Sequence, residues 1–250
     1  MAVLQRPDGE IHYQVFGRGF PVLLFAPGGL RSRMEMWPSP PGGPARSWVD
    51  WTQALPEAGF TAVALDQRNA GASRTAIKAD HGWHTYAADH IALMDHLGFD
   101  KFHVLGGCIG GSFCLKAVET APDRVLSAVL QNPIGVHPDH PAYFPDSHAE
   151  WTKEQLAERP ELDAEAIAAF GHNMWDHPFV FCVDSAFVRN CPVPTFLLPG
   201  TDIPHPAATS AELAALLPGV EVLTDWRGPE YLQQQREQVV AFLKRHTPAA

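Results

Sequence analysis

Apolar runs of membrane length are missing from this chain of 250 residues. The longest uninterrupted apolar stretches run to about five residues, against the roughly 20 that a spanning helix needs. The opening stretch, "MAVLQRPDGEIHYQVFGRGFPVLLF", has no basic segment leading into an apolar one with a small-residue cleavage site. No signal peptide is therefore expected, and the expectation is a cytoplasmic chain with no membrane partner. Positive charge is also scarce. Lys and Arg number 18 against 28 Asp and Glu, a formal net charge of -10, which argues against nucleic acid as a partner. Cysteine is limited to Cys108, Cys114, Cys182 and Cys191. None of these forms a CxxC pair, and no Cys/His set has zinc-ligand spacing, so free thiols and no metal site are expected.

What is present suits a large core. Hydrophobic residues make up 46% of the chain and charged ones 18%, the balance of a globular protein with one large domain or one domain plus an insertion. "EIHYQVFG" alternates and runs into the glycine-rich "GRG", which reads as a strand entering a hairpin. "PVLLFA", "TAVALD", "KFHVLGG", "RVLSAVLQNP", "VPTFLLPG" and "VEVLTDW" read as further strands. Several are continuous apolar runs of the kind that strands buried on both faces show. Between them lie helical patterns, such as "WVDWTQALPEAGF" closing at Gly59 and "TYAADHIALMDHLGF" with Gly98 as its stop. Strand and helix alternate, which implies an α/β fold with a mostly parallel sheet and helices on both faces. Residues 132–191 break the rhythm. They are rich in Pro, His and Trp and hold two helical stretches, with Ser147 and Asp163 as N-cap candidates. The expected organisation is a core of residues 1–131 and 192–250 and a helical cap or lid of residues 132–191.

The chemistry points to "VLGGCIGGSF". In open parallel sheets, ligands bind beyond the carboxyl ends of the strands, and Cys108 lies there, between a strand and a helix. A nucleophile on so tight a turn needs small residues two positions either side, and Gly106 and Gly110 fill both places. The helix that starts at Ile109 aims unpaired N–H groups and the positive end of its dipole at the sulfur, which favours the thiolate. The alternative is an ordinary glycine-rich turn with a core thiol.

Five motifs in order resemble the α/β-hydrolase fold superfamily over nearly the whole chain. "LLFAPGGLRS" is similar to the family's loop after the third strand, with Pro27 where a histidine often stands. "ALDQRNAGASR" resembles its Asp-x-Arg-Gly-x-Gly-x-Ser loop, with Asn69 for one glycine. "VLGGCIGGSF" matches its nucleophile elbow, with Cys for the usual Ser. "PTFLLPGTDIPHP" resembles the strand and loop that carry the acid, and "AFLKRH" the closing helix. The resemblance implies an eight-stranded, mostly parallel sheet, Asp202 as acid, and an oxyanion hole from the amides of Ile109 and Gly29, or Leu30 in place of Gly29. It implies that Asp66 and Arg68 hold loops together.

It also implies a histidine base after the last strand, and none is there. "VEVLTDWRGPEYLQQQREQ" has no histidine between His205 and His246, and Tyr231 takes roughly its place. Three answers stand open at this level. His205 is the base, although its strand should lie two places from that of Cys108, roughly 10 Å away at ordinary strand spacing. Or the base comes from the insertion, where His172 and His177 in "GHNMWDHPF" lead over His137 and His140. Or no histidine acts. The reading that results is a cofactor-free hydrolase or acyl-transfer enzyme that uses Cys108 on an ester, lactone or thioester. Its partner is a small-molecule substrate with an apolar portion, suggested by Trp151, Phe170, Trp175, Phe179 and Phe181, and a homodimer is left open. A lyase with Cys108 as spectator, or a silent binding protein on the same scaffold, is the rival.

Overall fold

The computed structural model describes residues 1–249. Its centre is a nine-stranded sheet. The strands are β1 (Ala2–Arg6), β2 (Gly9–Gly17), β3 (Phe20–Phe25), β4 (Phe60–Leu65), β5 (Arg74–Thr75), β6 (Phe102–Gly107), β7 (Val125–Gln131), β8 (Thr195–Leu198) and β9 (Glu221–Val222). Eight lie in the order β1-β2-β4-β3-β6-β7-β8-β9, and the two-residue β5 pairs with β2 as a ninth beyond the eight expected. From β4 to β9 along this path every pairing is parallel, and β1 and β2 are antiparallel. All residues of β4 and β6 are buried, as are those of β8, in keeping with their mostly apolar sequences. "VEVLTDW" pairs only over Glu221 and Val222, both exposed at the sheet edge.

The "GRG" turn is not a hairpin. β2 and β3 are not neighbours, because β4 lies between them; the true hairpin is β1–β2. The glycines serve a close crossing instead. A Cβ on Gly19 would sit 1.9 Å from the carbonyl oxygen of Gly59, and one on Gly17 would sit 2.7 Å from that of Phe60. Only bare backbone fits beneath the start of β4 there.

The helices are α1 (Trp51–Glu57), α2 (Trp83–His96), α3 (Ile109–Thr120), α4 (Tyr143–Glu158), α5 (Ala164–Trp175), α6 (Ser185–Arg189), α7 (Ala207–Leu216) and α8 (Leu232–Arg245). Asp163 caps α5 by accepting from the Glu165 amide, 2.9 Å. Ser147 caps nothing: α4 begins four residues earlier, at Tyr143, and Ser147 lies inside it. Two buried clusters flank the sheet. One joins α2, α3 and the segment between β7 and β8, and the other joins α1 and α8. Among the described residues, no helix is long and apolar enough to cross a membrane.

The "DQRNAG" loop is a hub. Asp66 accepts from the amides of Met34 (2.9 Å) and Ala72 (2.8 Å). Buried Arg68 donates to Asp8 (2.8 and 3.2 Å) and pairs with Asp89, which Arg6 also contacts at 2.7 Å. This ties β1, the β1–β2 turn and α2 to the loop. Burial works against the charge on Arg68, and its two carboxylates more than restore it. Removing one partner of such a buried cluster strands the others without compensation. Arg68→Met is therefore expected to lower unfolding free energy by about 3–5 kcal/mol, read as a drop in the urea midpoint; a change below about 1 kcal/mol would contradict this role for the cluster.

Candidate active site

Cys108 stands between β6 and α3 with φ 59° and ψ -122°. A side-chain-bearing residue adopts this backbone only when its surroundings force it, at about 1–3 kcal/mol. The surroundings are glycine. A Cβ on Gly106 would lie 2.1 Å from the carbonyl oxygen of Gly110, and one on Gly110 would lie 2.3 Å from that of Phe25. Strand β6, helix α3 and strand β3 thus meet backbone to backbone, and the turn between them lifts Cys108 clear of the sheet. Its amide donates to the Gln131 carbonyl at 3.0 Å, which locks the turn to the neighbouring strand.

The thiols differ sharply. Burial pushes Cys114 and Cys191 up, and Cys182 up to about 12. Burial acts on Cys108 in the same direction but is outweighed by His205 and by the N–H groups of Gly28 and Ile109, so this thiol is held below its ordinary value. The second amide facing the sulfur belongs to Gly28, one residue before the expected Gly29. Gly28 has φ 125°, a conformation that glycine tolerates, and it turns the N–H inward. Gly29 lines the same cavity.

His205 lines the cavity beside Cys108 because the loop after β8 folds back across the end of β7. The Gly135 amide donates to the Pro204 carbonyl at 3.4 Å, and the Asn132 amide to that of Leu198 at 2.7 Å. Gly200 makes the fold-back sterically open, since a Cβ there would lie 2.4 Å from that of His205. The turn Asp202–His205 closes with the His205 amide on the Asp202 carbonyl, 3.1 Å, and sets the two side chains together. Nδ1 of His205 lies 2.5 Å from Oδ1 of Asp202. An ionised carboxylate accepts only, so Nδ1 carries the proton and Nε2 is left for the thiol. Nε2 has no regular hydrogen bond. His205 and Cys108 line the same cavity. The coupling is mutual. Burial lowers the affinity of His205 for a proton, and Cys108 and Asp202 raise it above the ordinary value.

The loop after β9 contributes an arginine. Trp226 anchors it, with Nε1 on the Pro199 carbonyl at 2.8 Å, and Arg227 places Nη1 2.7 Å from Oδ2 of Asp202. Burial works to raise the Asp202 carboxyl, and Arg227 and His205 bring it below the usual range. Arg227 escapes notice in the sequence, where the missing histidine draws the eye in that loop. Gln131 escapes it too. Its Oε1 accepts from Trp51 Nε1 (3.2 Å) and Gln235 Nε2 (3.0 Å), while Gln235 accepts from the Val49 amide (2.9 Å). This chain of donors leaves the Gln131 amide NH₂ without an acceptor among the described residues, at the wall of the cavity beside Cys108.

The other histidines stay away. His172 is exposed and bonded to Asp176 at 2.9 Å, and with His177 it borders a separate surface depression. His137 and His140 face each other on the loop after β7. His90 is buried against Phe25 and Gln67, and burial holds it down to about 3. The cavity over Cys108 measures about 380 Å³. Of the five aromatic residues singled out in the sequence, only Trp175 lines it; Trp151, Phe170 and Phe181 are buried in the core, and Phe179 packs partly buried against it. Leu30, Met36, Trp48 and Phe144 add to its apolar wall. Among the described residues, no group of three or more His, Cys, Asp or Glu side chains is placed to hold a metal ion.

Residues 21–171 match the family model described as alpha/beta hydrolase fold. Among curated proteins, the chain is 31% identical over 122 residues to "Putative carbamate hydrolase RutD" of Variovorax paradoxus (strain S110), a match covering 49% of this chain and 42% of that protein. It is 32% identical over 105 residues to a soluble epoxide hydrolase of Corynebacterium sp. (strain C12), covering 41% and 31%. The chain thus spans less than half the length of the curated relatives it matches. Among solved structures it is similar to MGS-M2, an alpha/beta hydrolase enzyme from a Medee basin deep-sea metagenome library, with a TM-score of 0.72 at 14% identity over 100% of this chain and 99% of that one. It is also similar to Est816, an N-acyl homoserine lactone degrading enzyme, with a TM-score of 0.66 at 19% identity over 98% and 100%.

The lowered thiol and raised imidazole have a measurable consequence. Alkylation of Cys108 by iodoacetamide is expected to reach half its maximal rate below pH 9.0, the ordinary thiol value. In His205→Ala only burial and the two amides remain, so the midpoint should move up. The rate profile, read by mass spectrometry of the Cys108 peptide, decides; an unmoved midpoint would remove His205 from the pair.

Proposed function

Because the chain belongs to the α/β-hydrolase family, we propose that it is a hydrolase in which Cys108 attacks a carbonyl carbon and forms an acyl-thioenzyme. The observation that carries this reading is a thiol at a strained elbow that shares its cavity with one imidazole, and that alone of the four thiols is held below its ordinary value. Sγ adds to the carbonyl, and its proton is held on Nε2 of His205. The oxygen that takes the negative charge rests on the amides of Ile109 and the Gly28–Gly29 turn. Preorganised donors of this kind contribute about 10²–10³ each in rate. The tetrahedral adduct collapses, the leaving group departs with the proton from Nε2, and a thioester remains. Water then attacks with His205 as base, and the sulfur leaves. Asp202 keeps the proton on Nδ1, and Arg227 holds Asp202 ionised and in place. Residues 132–191 serve as the cap: Tyr143, Phe144, His148 and Trp175 cover the cavity, and Arg31 ties its own loop to Glu154 on α4 at 2.7 and 2.9 Å.

Esters, lactones and thioesters fit a thiolate nucleophile with a small, mainly apolar chamber. The test is intact-protein mass spectrometry after mixing with an activated ester. A mass increase equal to the acyl group, present in the native protein and absent in Cys108→Ala, is expected. Unchanged turnover in Cys108→Ala would overturn the mechanism and favour a lyase or binding role. His205→Ala should lower kcat/KM by about 10²–10⁴, while His172→Ala and His177→Ala leave it within about a factor of two.

A further inference from the structure

Three arginines line the cavity above Cys108: Arg31, Arg46 and Arg227. Two are neutralised. Arg31 is bidentate to Glu154, and Arg227 is bonded to Asp202. Arg46 has no carboxylate partner among the described residues. It is nevertheless held in place. Its amide donates to Ser39 Oγ at 3.0 Å, its Nε donates to the Pro38 carbonyl at 3.3 Å, and its guanidinium lies over the Trp48 ring, 5.2 Å from the centroid. With Nε occupied, both Nη groups are without acceptors among the described residues. Stacking on an indole orients the planar fork and strips part of its water without neutralising it.

A second donor is adjacent. Nε1 of Trp48 is shielded from solvent and has no hydrogen-bond partner, although buried indole N–H groups usually find one. Trp48 lines the same cavity. An uncompensated cation thus stands on the wall of this chamber, stacked on an indole that lines it too, and the same two residues border a neighbouring depression. The chain as a whole carries a net charge of -10 and would repel an anion on approach, so an anion enters only if the chamber itself supplies a counter-charge.

We propose that Arg46 and Trp48 form a carboxylate subsite, and that the substrate is a small carbonyl compound carrying a carboxylate a few carbons from the bond cleaved. The inference rests on the hydrolase reading for the second half of that statement; the subsite itself is testable without turnover. A planar carboxylate matches the free edge of the guanidinium with one oxygen on each Nη. A chamber of about 380 Å³ is near the small end of ligand sites, which suits a short diacid monoester or a lactone acid better than a long acyl chain.

The experiment has a binding arm and a turnover arm. Cys108→Ala protein is titrated calorimetrically with monomethyl glutarate, which carries one carboxylate, and with dimethyl glutarate, which carries none. Monomethyl glutarate is expected to bind about tenfold more tightly or better, the worth of a charge-assisted hydrogen bond. Adding Arg46→Met, which keeps the length that packs on Trp48 but removes the charge, is expected to erase that difference and leave dimethyl glutarate unchanged. Three results overturn the subsite. They are equal affinities for the two esters, an unaltered preference in Arg46→Met, and no binding of monomethyl glutarate at about 10 mM, a concentration that fills even a millimolar site. In turnover, p-nitrophenyl hydrogen glutarate and p-nitrophenyl butyrate are compared. Arg46→Met should raise KM for the acid about 10–100-fold, the loss of a charge-assisted bond, and leave both constants for butyrate unchanged. A carboxylated phenyl butyrate then tells whether the acid lies on the acyl or the leaving-group side. Acylation of Cys108 by butyrate without any preference for the acid would overturn the subsite and leave the hydrolase reading standing. Turnover that survives in Cys108→Ala would do the reverse.

Discussion

The site depends on one tight turn. Asp202 and His205 are three residues apart, and the turn between them brings carboxylate and imidazole to 2.5 Å while the loop carries both across the end of β7. A short turn of this kind needs little further ordering to hold the pair together, because its ends are joined by backbone hydrogen bonds. Its direction is set elsewhere. Gly200 gives the chain room to bend back, Gly135 holds Pro204, and Arg227 grips the far oxygen of the carboxylate. With those three supports His205 lines the same cavity as Cys108, which stands at the end of a strand two places away.

The same economy explains the loop after β9. In the family that the sequence resembles, this loop supplies the base. In this structure it supplies a cation bonded to Asp202 instead, and in the proposed mechanism the base is His205 on the turn of Asp202 itself. The electrostatic result is a connected row of charges: Arg227 against Asp202, Asp202 against His205, and His205 against Cys108. Each member stabilises the charged form of the next, against the desolvation that burial imposes on the last three. The strained backbone of Cys108 belongs to the same arrangement. Its strain is held by glycine contacts across three elements, so the sulfur projects toward the row rather than into the core.

Much of this was legible in the residues. The alternation of buried strands and helices led to the sheet, and Gly106 and Gly110 on either side of Cys108 marked the elbow. Loop functions that rest on long-range pairing were not legible. "GRG" carried the composition of a hairpin but serves a crossing under β4, because strand order is decided by which apolar runs find each other and not by adjacency in the chain. Arg227 and Gln131 had no local signal at all. Each matters through a partner 25 or more positions away, and nothing in the flanking residues announces such a partner.

By itself, then, the sequence determined the periodicities, the glycine positions where a side chain cannot fit, and the identity of the one thiol at the mouth of a helix, since these follow from local sterics and from the burial of apolar runs. Only the tertiary structure decided which histidine shares a cavity with that thiol, that Arg227 grips Asp202, and that of three cavity arginines Arg46 keeps its charge uncompensated. Those outcomes turn on ångström-scale distances between separate loops, and they exist only after the sheet has set where each loop begins.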